Sequence, residues 1–115
     1  MPRADTLEMG ELTDSAYYIL LSLLEAKHGY SIMRSIEEMT SGTLSIGPAS
    51  MYTTIKKLGK ANLIKEIKTK DTQNKKTYVA TESGISLLKK EIQRRRDMVR
   101  HAEEIFKTSK WSDAK

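Results

Sequence analysis

The chain has 115 residues, 38% hydrophobic and 30% charged, with no cysteine, two histidines and a formal net charge of +5. This length supports one modest core, and no apolar run nears the roughly 18 residues that cross a bilayer. The missing cysteines exclude disulfides, thiolate zinc sites and cysteine nucleophiles. Residues 1–10 contain Asp5 and Glu8 but no basic stretch leading into an apolar one, so they do not read as a secretory signal, and a cytoplasmic location is expected. The charge is also uneven. Residues 56–76 hold eight lysines against Glu66 and Asp71, whereas the segment before them is net acidic. A local positive field suits a surface that faces a polyanion.

In chain order, Thr13 is placed to cap a first helix whose Ala16, Ile19, Leu20, Leu23 and Leu24 recur at steps of three and four as far as Lys27. Ile32, Met33, Ile36 and Met39 set out a second helix, stopped by Thr40, Ser41 and Gly42. Gly47 and Pro48 open a third, because proline at the first helical position loses no hydrogen bond. Met51, Ile55 and Leu58 mark its buried side, and Asn62 supplies the left-handed residue that ends it. Residues 63–69 and 76–80 read as two strands joined by a polar, basic tip. Thr81 caps the last helix, along which Ile85, Leu88, Ile92, Val99, Ala102 and Phe106 form a stripe that Arg95 interrupts. Trp111 lies past this pattern. The expected architecture is mainly α with a small β-hairpin: a winged helix-turn-helix domain over residues 1–80, a dimerisation helix over 81–110 and a mobile tail over 111–115.

Function is suggested by the wet face of the third helix. Ala49, Ser50, Thr53 and Thr54 offer small groups, and Lys56, Lys57 and Lys60 follow. Such a helix can enter a major groove with its early residues at base edges and its lysines at phosphates. Gln73, Asn74, Lys75 and Lys76 lie at the hairpin tip, where a wing can straddle the DNA backbone and make affinity depend on salt. The competing reading is a winged-helix module that binds another protein, with the lysines acting only as a solvated face. RNA binding is less favoured, since few aromatic residues fall on the strands. His28 and His101 have no evident acidic and nucleophilic partners, and there is no phosphate loop or metal-ligand spacing, so neither an enzyme nor a cofactor is expected. His28 is read instead as shaping a turn.

The fragments His28-Gly29-Tyr30, Ser50-Met51-Tyr52, Leu63-Ile64 and Thr81-Glu82-Ser83-Gly84, in this order and spacing, resemble the PadR family of bacterial regulators from about Leu12 to Phe106. The length and single terminal helix resemble the family's shorter subgroup, whose members are homodimeric repressors, often of genes for efflux or stress functions. The resemblance implies that double-stranded DNA and a second copy are the partners. It also implies that the hydroxyls of Tyr18 (or its neighbour Tyr17), Tyr30 and Tyr52 lie near the DNA backbone, that Ser50, Thr53 and Lys57 face the groove, and that Lys75 and Lys76 serve the wing. The sequence departs from the family's pattern at Thr53, Thr77 and Ala80, where proline, a second wing tyrosine and arginine are usual. Gly59 within the third helix costs about 1 kcal/mol relative to alanine.

Regulators of this type can take a small-molecule effector where the two terminal helices meet, stacking planar cations on a tryptophan. Arg95 stands at that position here, so an effector at the dimer interface is expected to be an anion or a neutral polar molecule. The alternative reading pairs Arg95 with Glu91 one turn earlier, or has it snorkel out of the seam.

Overall fold

The computed structural model describes residues 11–68 and 75–112. Its elements are α1 (Asp14–Ser22), β1 (Lys27–His28), α2 (Gly29–Met39), α3 (Pro48–Lys60), β2 (Ile64–Ile67), β3 (Thr77–Ala80) and α4 (Glu82–Lys107). The expected tip residues Gln73 and Asn74 lie outside the described residues. The strands form an antiparallel sheet in the order β1-β3-β2, with Ile64 opposite Ala80 and Lys27 opposite Tyr78. This is the winged-helix arrangement that the element order implied, with one strand more than expected.

Local chemistry accounts for most boundaries. The Thr13 hydroxyl accepts from the Ala16 amide at 3.1 Å, so it caps α1. α2 ends where Ser41 and Gly42 take positive φ, and Asn62 at φ 63° ends the turn after α3. α1 stops at Ser22, five residues earlier than its apolar spacing suggested. The reason is tertiary: the Leu23 carbonyl accepts from the Ala80 amide at 2.8 Å, which turns the chain out of the helix and toward the sheet edge.

The core joins Ile19, Leu20 and Leu23 with Ile32, Ile36, Met51, Leu58, Leu63, Ile64 and Leu88. Two glycines sit at close approaches, and at Gly84 the neighbour is backbone that cannot give way. A Cβ on Gly84 would overlap the Leu63 carbonyl oxygen, and one on Gly29 would overlap the Tyr52 hydroxyl. The Gly84 contact lets α4 sit against the α3–β2 turn. Thr81 fixes the same joint, its hydroxyl donating to the Asn62 carbonyl at 2.8 Å and accepting from the Gly84 amide at 3.0 Å.

Candidate nucleic-acid interface

α3 turns Met51, Ile55 and Leu58 into the core, and the opposite side carries Ala49, Ser50, Thr53, Lys56, Lys57 and Lys60, all exposed. The hydroxyls of Thr53 and Thr54 donate back to the carbonyls of Ala49 and Ser50 at 2.9 and 3.0 Å. Along the helix, small groups therefore give way to ammonium groups.

Beside α3 a cleft of about 480 Å³ opens between the start of α2 and the wing, lined by His28, Gly29, Tyr30, Ser31, Tyr52, Lys75, Lys76 and Tyr78. A second cavity of about 390 Å³ shares Tyr52, Lys76 and Tyr78 and adds Lys56 and Lys65. The Gly29 notch seats the Tyr52 ring, so the His28-Gly29-Tyr30 and Ser50-Met51-Tyr52 fragments meet at one place although they are distant in sequence. His28 Nδ1 lies 3.0 Å from the Thr77 hydroxyl, which ties the entry of α2 to β3.

Tyr30 and Tyr52 are therefore brought together with Lys75 and Lys76, all exposed. Tyr18 is not among the residues lining this cleft. It packs half-buried against the core, its ring edge-on to Tyr17 with centroids 5.4 Å apart. Sequence reasoning did not single out Lys65 or Tyr78. Lys65 lies within the basic run, which could have found it, whereas Tyr78 sits opposite Glu66 in a core-facing position and carries no such signal. Burial, with Glu66 nearby, raises the Tyr78 phenol above its ordinary value of 10.

α4 divides into two halves. Leu88 is in the core, Ile85 and Ile92 pack against it, and Val99, Ala102 and Phe106 lie exposed along a groove of about 920 Å³. Between the halves the fully buried Glu91 carboxylate accepts a two-pronged pair of bonds from Arg94, at 2.8 and 2.6 Å, and one from Arg95 Nε at 3.0 Å. Arg95 also donates to Asp14 at 2.9 Å and to the Leu12 carbonyl at 3.0 Å, and it lies over the Tyr17 ring at 4.3 Å. The bonds from Arg94 foremost, and from Arg95, hold the Glu91 carboxyl below its ordinary range against the opposing effect of burial.

Two of the expected seam residues, Leu88 and Arg95, do not lie on the open half of α4. Leu88 is enclosed by the rest of its own chain. Arg95 is held on the joint between α1 and α4 and does not project from the free face.

Among the described residues no helix is long and apolar enough to cross a membrane. The sequence profile of the transcriptional regulator PadR-like family matches residues 19–90. Among curated proteins, none matches the chain. Among solved structures, a transcriptional regulator from Clostridium thermocellum is similar over 90% of this chain and 97% of its own, with 20% identity and a TM-score of 0.71. A PadR family transcriptional regulator from Eggerthella lenta is similar over 82% of each chain, with 17% identity and a TM-score of 0.72. At these identities the likeness carries the fold alone.

Proposed function

The chain belongs to the PadR-like family of transcriptional regulators, non-enzymatic DNA-binding proteins, and from that premise we propose that it is a homodimeric, sequence-specific repressor acting in the cytoplasm. The observation that carries this reading is the convergence of the exposed face of α3 with the Tyr30, Tyr52, Lys75 and Lys76 cleft on one basic surface. In this reading α3 enters the major groove. Ala49, Ser50 and Thr53 meet base edges, while Lys56, Lys57, Tyr30 and Tyr52 meet the flanking phosphates and Lys75 and Lys76 follow the backbone through the wing. Tyr18 supports α1 behind this surface.

The exposed half of α4, through Val99, Ala102 and Phe106, is the seam for a second copy, with Ile85 and Ile92 at its inner edge. Residues 1–80 then form the DNA-binding unit, 81–110 the dimerisation helix and 111–115 a tail. A two-fold dimer reads a palindrome whose half-sites are about one helical turn or a multiple of it apart, on the order of 34 Å. Occupying an operator is itself enough to exclude polymerase, which favours repression. Effector response fits the groove along Val99, Ala102 and Phe106, which the helix of a second copy would wall. Arg95 is withheld from that role by Glu91 and Asp14.

The test is fluorescence anisotropy against the DNA flanking the protein's own gene, at two salt concentrations and with unrelated duplex as competitor. Salt-dependent binding that the competitor fails to displace is expected. Binding to neither duplex, or equal binding to both, would instead favour a protein-interaction module.

A further inference from the structure

We propose that α3 selects A·T base pairs through thymine methyl groups, with Thr53 the specificity-determining residue and Ala49 its neighbour. This deepens the reading of α3 as the groove-entering helix and rests on it.

Three observations lead there. The first is position. With Met51, Ile55 and Leu58 turned into the core, the helical rotation of about 100° per residue puts 49 and 53 on the outermost line of the first two turns, and 56 and 60 on its continuation. Ala49 and Thr53 are one turn apart and both exposed. They are the side chains that would penetrate a groove most deeply.

The second is the chemistry left at Thr53. A threonine hydroxyl has a single proton, and here it is donated to the Ala49 carbonyl at 2.9 Å. That bond fixes the stiff β-branched side chain and leaves its methyl group and the oxygen lone pairs for a ligand. Ala49 adds a second methyl. At positions 49 and 53 the edge of the helix is thus apolar, with acceptor capacity and no uncommitted proton.

The third is composition. α3 reads PASMYTTIKKLGK and contains no arginine, asparagine or glutamine, and lysine, the other side chain that pairs with guanine, occurs only from position 56 onward, so its first two turns hold no two-pronged partner for guanine or adenine. Its lysines belong to the later turns.

Base edges differ in what they ask of such a surface. Guanine shows two acceptors in the major groove and needs a donor, which Thr53 has committed elsewhere. An A·T pair shows the thymine methyl together with the adenine amino group, and Thr53 can meet the first with its methyl and the second with its oxygen. A G·C pair offers an amino group on cytosine but no methyl. A·T pairs therefore satisfy both features of the side chain, and G·C pairs only one.

Uracil provides the test, because it removes the methyl and leaves every hydrogen-bonding atom of thymine in place. A random-sequence duplex library would be selected on the full chain, and each thymine of the enriched site then replaced by uracil and titrated by anisotropy. Affinity is expected to fall about fourfold per contacted methyl, the effect of withdrawing one such group from burial. Thr53→Ser, which keeps the hydroxyl and deletes the methyl, should abolish the thymine-over-uracil preference at one position, and Thr53→Val should retain it. An enriched site indifferent to uracil at every thymine, or a Thr53→Ser variant that discriminates like the parent, overturns the proposal while leaving sequence-specific DNA binding intact. A library without any enrichment overturns that underlying reading and the proposal with it.

Discussion

The two halves of α4 share one apolar face and meet opposite surroundings. Gly84, Leu88 and Glu91 are sealed against the rest of the chain, whereas Val99 and Phe106, farther along the same stripe, are 57% and 53% exposed. At 1.5 Å per residue the 26-residue helix runs about 39 Å, longer than the small domain that receives its first half. The comparison shows that a continuous stripe does not reveal what covers it. The transition is marked by charge, where the buried Glu91 gathers Arg94 and Arg95 and the latter reaches Asp14 at the start of α1.

The largest difference between the halves should appear on truncation. Leu88→Ala removes a core side chain and should cost about 3 kcal/mol, read as a lower midpoint in urea unfolding. Val99→Ala, on the open half, should leave the midpoint of the isolated protomer nearly unchanged. Similar losses for both would mean that the halves are not distinct.

The joint between them should be weaker but measurable. Glu91→Gln keeps an acceptor and removes the charge that two guanidiniums share, for an expected loss of about 2 kcal/mol at neutral pH. The Glu91 carboxyl ionises more readily in the folded chain than in the unfolded one, so its contribution is present above its ordinary value near 4.5 and fades as pH falls below that. The stability gap between parent and variant should therefore narrow below about pH 4.5. A gap that stays constant from neutral to strongly acidic pH would show that the ionised carboxylate is not what joins α1 to α4.

The smallest effect concerns the end of the molecule remote from the seam. Changing Lys75 and Lys76 together to Ala should leave both halves of α4 untouched and lower the salt dependence of DNA binding by about one to two units. An unchanged slope would remove the wing from the interface.

Much of this organisation was legible in the sequence because it depends on local rules. Thr13, Thr81, Pro48 and Asn62 each sit where a cap, a helix start or a left-handed turn needs them. The pairing of Arg95 with Glu91 follows from one-turn spacing, yet its reach to Asp14 depends on how α4 lies across α1, which no spacing records. β1 was not legible, since two residues show no periodicity and Leu23 and Leu24 continue the helical spacing beyond the true end of α1. The gathering of Tyr30, Tyr52, Lys76 and Tyr78 is likewise a product of the Gly29 notch and of strand pairing.

The division of α4 is tested most directly by sedimentation velocity on the parent chain and on Phe106→Asp, with the thermal midpoint of each measured alongside. A carboxylate placed in an apolar seam is expensive to bury, and Phe106 has no part in the protomer's core. The account predicts a dimeric parent and a monomeric variant whose protomer fold is retained in circular dichroism. A parent that sediments as a monomer, or a variant that remains dimeric with an unchanged dissociation constant, would contradict it.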